Sequence, residues 1–197
     1  MNNKLQNILN KFEESQVYFI LKKLNLFISI ILIILVLIHG IVGSTILLRV
    51  FYIDLKDISW LAFDLILIHT VFGIIFTILP ILSRKNNEKL YLKENRLFWI
   101  RRISGLLMLV LLCFHFYLFG GMENGQYVLY EFNIISLIIQ ILLTITLFVH
   151  IISNIRPMLN SLGIINYKKK NKRIFLILLI FFILFTISAV FYYISWL

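Results

Sequence analysis

With 61% of its 197 residues hydrophobic, 15% aromatic and only 14% charged, the chain lies outside the soluble globular class, which averages about 45–50% apolar and ~25% charged. Two prolines and eight glycines exclude a collagen-like or low-complexity chain, and the apolar content excludes intrinsic disorder. The net charge of +10 does not mark a nucleic-acid binder, because 17 of the 19 basic residues fall in three segments that alternate with apolar stretches. These segments are the N-terminal tail (Lys4, Lys11, Lys22, Lys23), Arg84–Arg102 and Arg156–Arg173, and only Arg49 and Lys56 lie elsewhere. Such alternation follows the positive-inside rule of membrane proteins.

In chain order, residues 1–23 form a cytoplasmic tail. Leu5, Ile8, Leu9, Phe12 and Phe19 recur there at roughly helical spacing, so the tail is expected to lie along the inner membrane surface or beneath a soluble partner. Glu13, Glu14 and several Asn or Gln make it unlike the apolar core of a signal peptide, and the first span is expected to direct insertion. A bilayer core of ~30 Å needs ~20 apolar helical residues. Five runs qualify: Leu24–Leu48, Ile58–Ser83 interrupted by Asp64, Ile103–Met122, Phe132–Ile155 and Ile174 to the C-terminus. The expected fold is therefore an all-α membrane protein, one transmembrane domain of five helices, the first four forming a bundle; an alternating barrel pattern is absent. The N-terminus is expected inside and the C-terminus outside. Loops near Tyr52–Ser59 and Gly120–Glu131 then face outward, and the basic cluster Lys168–Arg173 is read as a topogenic, lipid-binding flank.

Four histidines, His39, His69, His115 and His150, fall one in each of the first four spans, and the fifth span has none. An ionisable side chain in hydrocarbon is costly and usually faces a bundle interior, so each is a functional candidate; for any one alone, structural hydrogen bonding is the alternative. Histidines on two facing helices can fill both axial positions of a porphyrin iron and leave none for substrate, which makes an electron-transfer haem. Four such residues allow two b-type haems and a wire between the membrane faces. Gly43 and Gly73 each follow a histidine by four residues on the same helical face, where a porphyrin needs the backbone close. The single cysteine, Cys113, leaves no disulfide framework and no cysteine-ligated metal or iron–sulfur site. A zinc site would want carboxylates converging on the histidines, and Asp64 is the one acid within a span. No phosphate loop, dinucleotide fingerprint or nucleophile constellation appears, so dicarboxylate or flavin chemistry would belong to another chain.

The run His69-Thr-Val-Phe-Gly73, the polar Ser-Arg-Lys-Asn-Asn of 83–87, and Arg101-Arg-Ile-Ser-Gly105 leading to His115 resemble the single-chain cytochrome b subunit of succinate dehydrogenases and fumarate reductases. The segment His150-Ile-Ile-Ser-Asn-Ile-Arg-Pro-Met-Leu-Asn-Ser-Leu-Gly163 continues the likeness. The resemblance implies two haems b, ligated by His39 with His115 and by His69 with His150. It also implies a flavoprotein and an iron–sulfur protein on the cytoplasmic face of a bacterial plasma membrane, with a quinone, commonly menaquinone, as membrane substrate. Two departures stand out: Asn25 follows the Lys22–Lys23 pair where relatives carry a His or Ser, and Phe148 stands where some fumarate reductases have a glutamate. A proton route through position 148 is therefore not supported.

Counting helical rise from the nearest inner basic residue tests the pairs. His39 is ~24 Å from Lys23 and His115 ~20 Å from Arg102, whereas His150 is ~9 Å from Arg156 and His69 ~22 Å from Arg84, a mismatch of ~13 Å in the second pair. Arg156 is the better candidate for a propionate of the inner haem. Arg101, Arg102 and Ser104 are candidates for haem propionates or for the docked iron–sulfur subunit, with topogenic charge as the alternative for the arginines. Arg49 is a weaker candidate at the outer haem. Asp64 is read either as an interfacial acid or as a proton-exchange group for quinone; five residues from His69 is ~140° around the helix, so the two do not share a face. Rival readings are a proton-relay transporter or channel, a haem-free structural anchor, and the cytochrome of another dehydrogenase such as a hydrogenase, which tends to carry two histidines on one helix.

Overall fold

A computed structural model describes residues 3–51, 53, 55–82, 95–123, 126–164 and 172–195. Six helices and one hairpin follow in chain order: α1 (Asn3–Glu13), α2 (Gln16–Leu47), α3 (Lys56–Leu82), α4 (Arg96–Phe119), β1 (Gly120–Glu123), β2 (Gln126–Leu129), α5 (Ile134–Ser161) and α6 (Lys172–Ile194). Helices α2 to α6 are each long and apolar enough to cross a membrane. The fold is thus an all-α membrane fold with five spanning helices, whose exposed leucine, isoleucine and phenylalanine side chains suit a lipid surround. The polar run 83–87 and most of the basic cluster, Lys168 to Asn171, lie outside the described residues.

Several helices run beyond their charge-free stretches. The expected tail helix is two elements: α1 ends at Glu13, and Ser15 starts α2 by accepting a hydrogen bond from the Tyr18 N–H (3.2 Å). Phe19, Lys22 and Lys23 therefore belong to α2. The ammonium groups of Lys22 and Lys23 sit over the Tyr18 and Phe19 rings at 4.3 and 4.5 Å, so the lysine stems continue the helix while their charges leave the apolar face. The loop near Gly120–Glu131 holds a feature that the helical reading missed, an antiparallel hairpin pairing Gly120 with Leu129 and Glu123 with Gln126.

Two compact units divide the chain: Met1–His39 with Leu55–Arg96, and Gly40–Asp54 with Leu97–Leu197. In the first, α1 packs on α3, and buried Tyr18 makes an edge-on contact with Phe76 (5.5 Å between centroids). In the second, α5 and α6 lie closest. Ser136, Ser188 and Ala189 are 0, 2 and 0% exposed there, as expected where small side chains let helix backbones approach in a membrane. Phe132, Leu137, Ala189 and Tyr192 form the buried cluster of this unit. Asn133 caps α5 by accepting the Ile135 and Ser136 N–H groups, each at 3.0 Å.

Two helices end in the same way with different residues. At the end of α5 the Gly163 N–H bonds to the Asn160 carbonyl and the Ile164 N–H to that of Leu159, both at 3.0 Å, with Gly163 at φ 70°. At the end of α2 the Arg49 N–H bonds to Ile46 (2.9 Å) and the Val50 N–H to Thr45 (3.0 Å), with Arg49 at φ 57°. A side chain in this left-handed position costs on the order of 1 kcal/mol, and glycine avoids it. Arg49→Gly is expected to raise thermal stability in detergent by about 0.5–1 kcal/mol, and an unchanged or lowered stability would show that the arginine side chain makes contacts that offset its left-handed backbone.

Candidate functional site

The four histidines stand one each on α2, α3, α4 and α5. In the first unit, Ser29 Oγ on α2 lies 3.4 Å from His69 Nδ1 on α3, and His39 Nδ1 on α2 lies 3.1 Å from Ser59 Oγ on α3. The two contacts are reciprocal. Ser29 and His39 are ten residues apart on one helix, Ser59 and His69 ten apart on its antiparallel neighbour, so the pair holds histidines at two levels separated by ~15 Å of helical rise.

In the second unit, Ser104 Oγ on α4 lies 3.1 Å from His150 Nδ1 on α5, and a Cβ built on Gly105 would come 3.2 Å from the His150 ring. Gly105 thus lets the imidazole settle against α4. His115 is eleven residues further along α4, a second level ~16 Å away. Its ring tilts onto Phe119 at 4.3 Å between centroids, and Phe119 continues to Phe132 (5.2 Å) and Phe132 to Tyr192 (5.2 Å).

Within the first unit His69 is level with Ser29, six residues or ~9 Å along α2 from Lys23, while α3 itself runs thirteen residues past His69 to Leu82.

The remaining candidates separate. Arg102 is half-buried with its guanidinium 4.9 Å from the Phe98 ring centre, and stands two residues, ~3 Å of rise, from the serine that touches His150. Arg156 is exposed and six residues from that histidine, so Arg102 rather than Arg156 is nearer the His150 level. Arg101 turns its Nε–H back to the Leu97 carbonyl (3.0 Å). Asp64 and Arg49 are exposed. Phe148 packs against Phe182 (5.0 Å) and Phe175 (5.8 Å) of α6, and Cys113 is a free, exposed thiol.

The residues fit a porphyrin in one respect. A Cβ built on Gly43 or Gly73 would meet nothing within 4 Å, so both glycines border open space, one turn from His39 and His69. Ser29 and Ser59 escaped sequence reasoning, and the contact of Ser104 with a histidine did too, because Ser and Thr are common in membrane helices and a single sequence does not say which helix faces which.

No curated protein and no solved structure matches the chain. A family model, the succinate dehydrogenase/fumarate reductase transmembrane subunit, matches residues 83–191. The match covers more than half the chain, including the α4–α5 pair that seats His150 against Ser104, and α6 up to Phe191; with five membrane-spanning helices around it, the chain belongs to the succinate dehydrogenase/fumarate reductase transmembrane subunit family.

Proposed function

We propose that the chain, acting as one transmembrane domain, is a dihaem cytochrome b anchor that passes electrons between membrane quinone and a peripheral flavoprotein and iron–sulfur protein. The observation that carries this reading is the presence of histidines at two levels in each unit, ~15 Å apart in one and ~16 Å in the other by helical rise. One iron cannot bind two residues so far apart. His39 and His69 therefore do not share a haem, nor do His115 and His150, and the pairing implied by the family resemblance, His69 with His150 on the inner side and His39 with His115, is the one we adopt.

Haem bound in this way supplies reversible one-electron transfer and no open iron position for substrate. The chain's own residues bind and orient. Gly73 and Gly43 leave room beside their histidines, Gly105 seats His150, and Arg102, with Arg156 as the more distant candidate, provides positive charge for propionates on the inner side. Asp64 is the proposed proton-exchange group for quinone, with menaquinone as the expected species. The soluble subunits dock on the cytoplasmic face of a bacterial plasma membrane, where the N-terminus lies, and the C-terminus is outside.

The deciding measurement is the haem content and dithionite-reduced absorption spectrum of the full chain, expressed with adequate haem supply and purified in mild detergent. Two low-spin b-type haems per chain are expected. A haem-free, folded protein would overturn the proposal and favour a bare anchor or proton relay.

A further inference from the structure

The hydrogen bonds of two serines bear on a question that the ligand assignment leaves open, namely which imidazole nitrogen of His69 and His150 faces the iron. A serine hydroxyl has one proton to donate and lone pairs with which to accept. Ser29 donates that proton to the Asn25 carbonyl on its own helix at 2.7 Å, and the Arg101 carbonyl stands 3.3 Å from the Ser104 hydroxyl as the matching acceptor. With the proton on the carbonyl, each oxygen meets its histidine as an acceptor, and Nδ1 of His69, at 3.4 Å, and Nδ1 of His150, at 3.1 Å, then carry the hydrogen. A neutral imidazole protonated at Nδ1 has its free electron pair on Nε2.

We infer that Ser29 and Ser104 are positioning residues that hold the inner histidine pair in the Nδ1–H tautomer and present both Nε2 atoms as ligands. The inference rests on the haem reading above and extends it. In each case a backbone carbonyl, a serine hydroxyl and an imidazole form a chain, which orients the ring and increases its basicity. Outer hydrogen bonds of this kind tune metal-bound histidines generally. A more basic axial ligand favours ferric over ferrous iron, so the two serines lower the potential of the inner haem.

The test is a redox titration with low-temperature electron paramagnetic resonance on the full chain carrying Ser29→Ala, Ser104→Ala, or threonine at either position. The inner haem is identified as the one lost in His69→Ala. Each alanine variant is expected to keep both haems and to raise the inner potential, by up to about tenfold in the ferrous-to-ferric ratio or ~59 mV for a one-electron couple. The inner signal's g values should shift, and the threonine variants, which keep the hydroxyl, should resemble the parent. Haem-replete alanine variants with unmoved inner potential and g values would overturn the inference. If alanine costs haem, threonine decides: restored haem at the parental potential supports it, and equal loss in both overturns it. A parent chain without bis-histidine haem would overturn the function proposed above and this inference with it, whereas haem present with unmoved potentials removes this inference alone.

Discussion

His69→Ala and His150→Ala are each expected to remove the same one of two haems, cutting the reduced α-band to about half, and His39→Ala and His115→Ala to remove the other. The expectation follows from the two levels in each unit. His39 and His69 are held apart by ten residues of helix fixed at both ends by serine contacts, so they cannot share an iron, and the rise from Ser104 separates His115 from His150 in the same way. Two double variants sharpen the test: His69→Ala/His150→Ala should retain one haem with the outer potential, and His69→Ala/His39→Ala should retain none. Loss of a single haem in that second variant would overturn the pairing, whatever the total haem content of the parent.

Phe132→Ala is expected to be the most damaging change away from the histidines, lowering stability by about 3 kcal/mol, as for other large-to-small changes at buried aromatic sites. Phe132 is only 3% exposed and lies edge-on to both Phe119 and Tyr192, joining the end of α4 to α6 just before α5 begins. Lipid tails are as apolar as the phenyl ring, so close packing, not release of water, is what the ring contributes among the helices. Since Phe119 also carries the ring of His115, the loss should reach the outer site. Thermal unfolding in detergent and the outer haem's resonance signal measure the two effects, and a destabilised variant with an unaltered signal would show that Phe119 orients His115 without Phe132.

The five spans were legible because charge-free runs are a property of composition, and α2 to α6 overlap each of them. Their ends were less so. Lys22, Lys23, Arg101 and Arg102 interrupt hydropathy without interrupting a helix, because long basic side chains carry their charge away from an apolar surface. The hairpin had a signal in the dipeptide Asn124-Gly125 between alternating residues, the usual cue for a two-residue turn, but at a helix junction it reads equally as loop. The four histidines stood out as costly residues in hydrocarbon. Ser29 and Ser59 did not, and Ser104 stood out only as a propionate or docking candidate, since a serine's contact with a histidine acquires meaning only through the register of one helix on another.

The reciprocal contacts between α2 and α3 also bear on how the protein meets its bilayer. Sliding either helix by a turn would break both contacts at once, so the separation of the two histidine levels is set by covalent chain length between two pinned points. Membranes differ in thickness by several ångströms, and helices adjust by tilting or by burying and exposing their ends. Here the adjustment falls on tilt and on the end of the pair where α1 folds against α3. The spacing of the two levels along the helices is therefore insulated from lipid composition, and a thinner or thicker bilayer changes the angle of this ruler without changing its length.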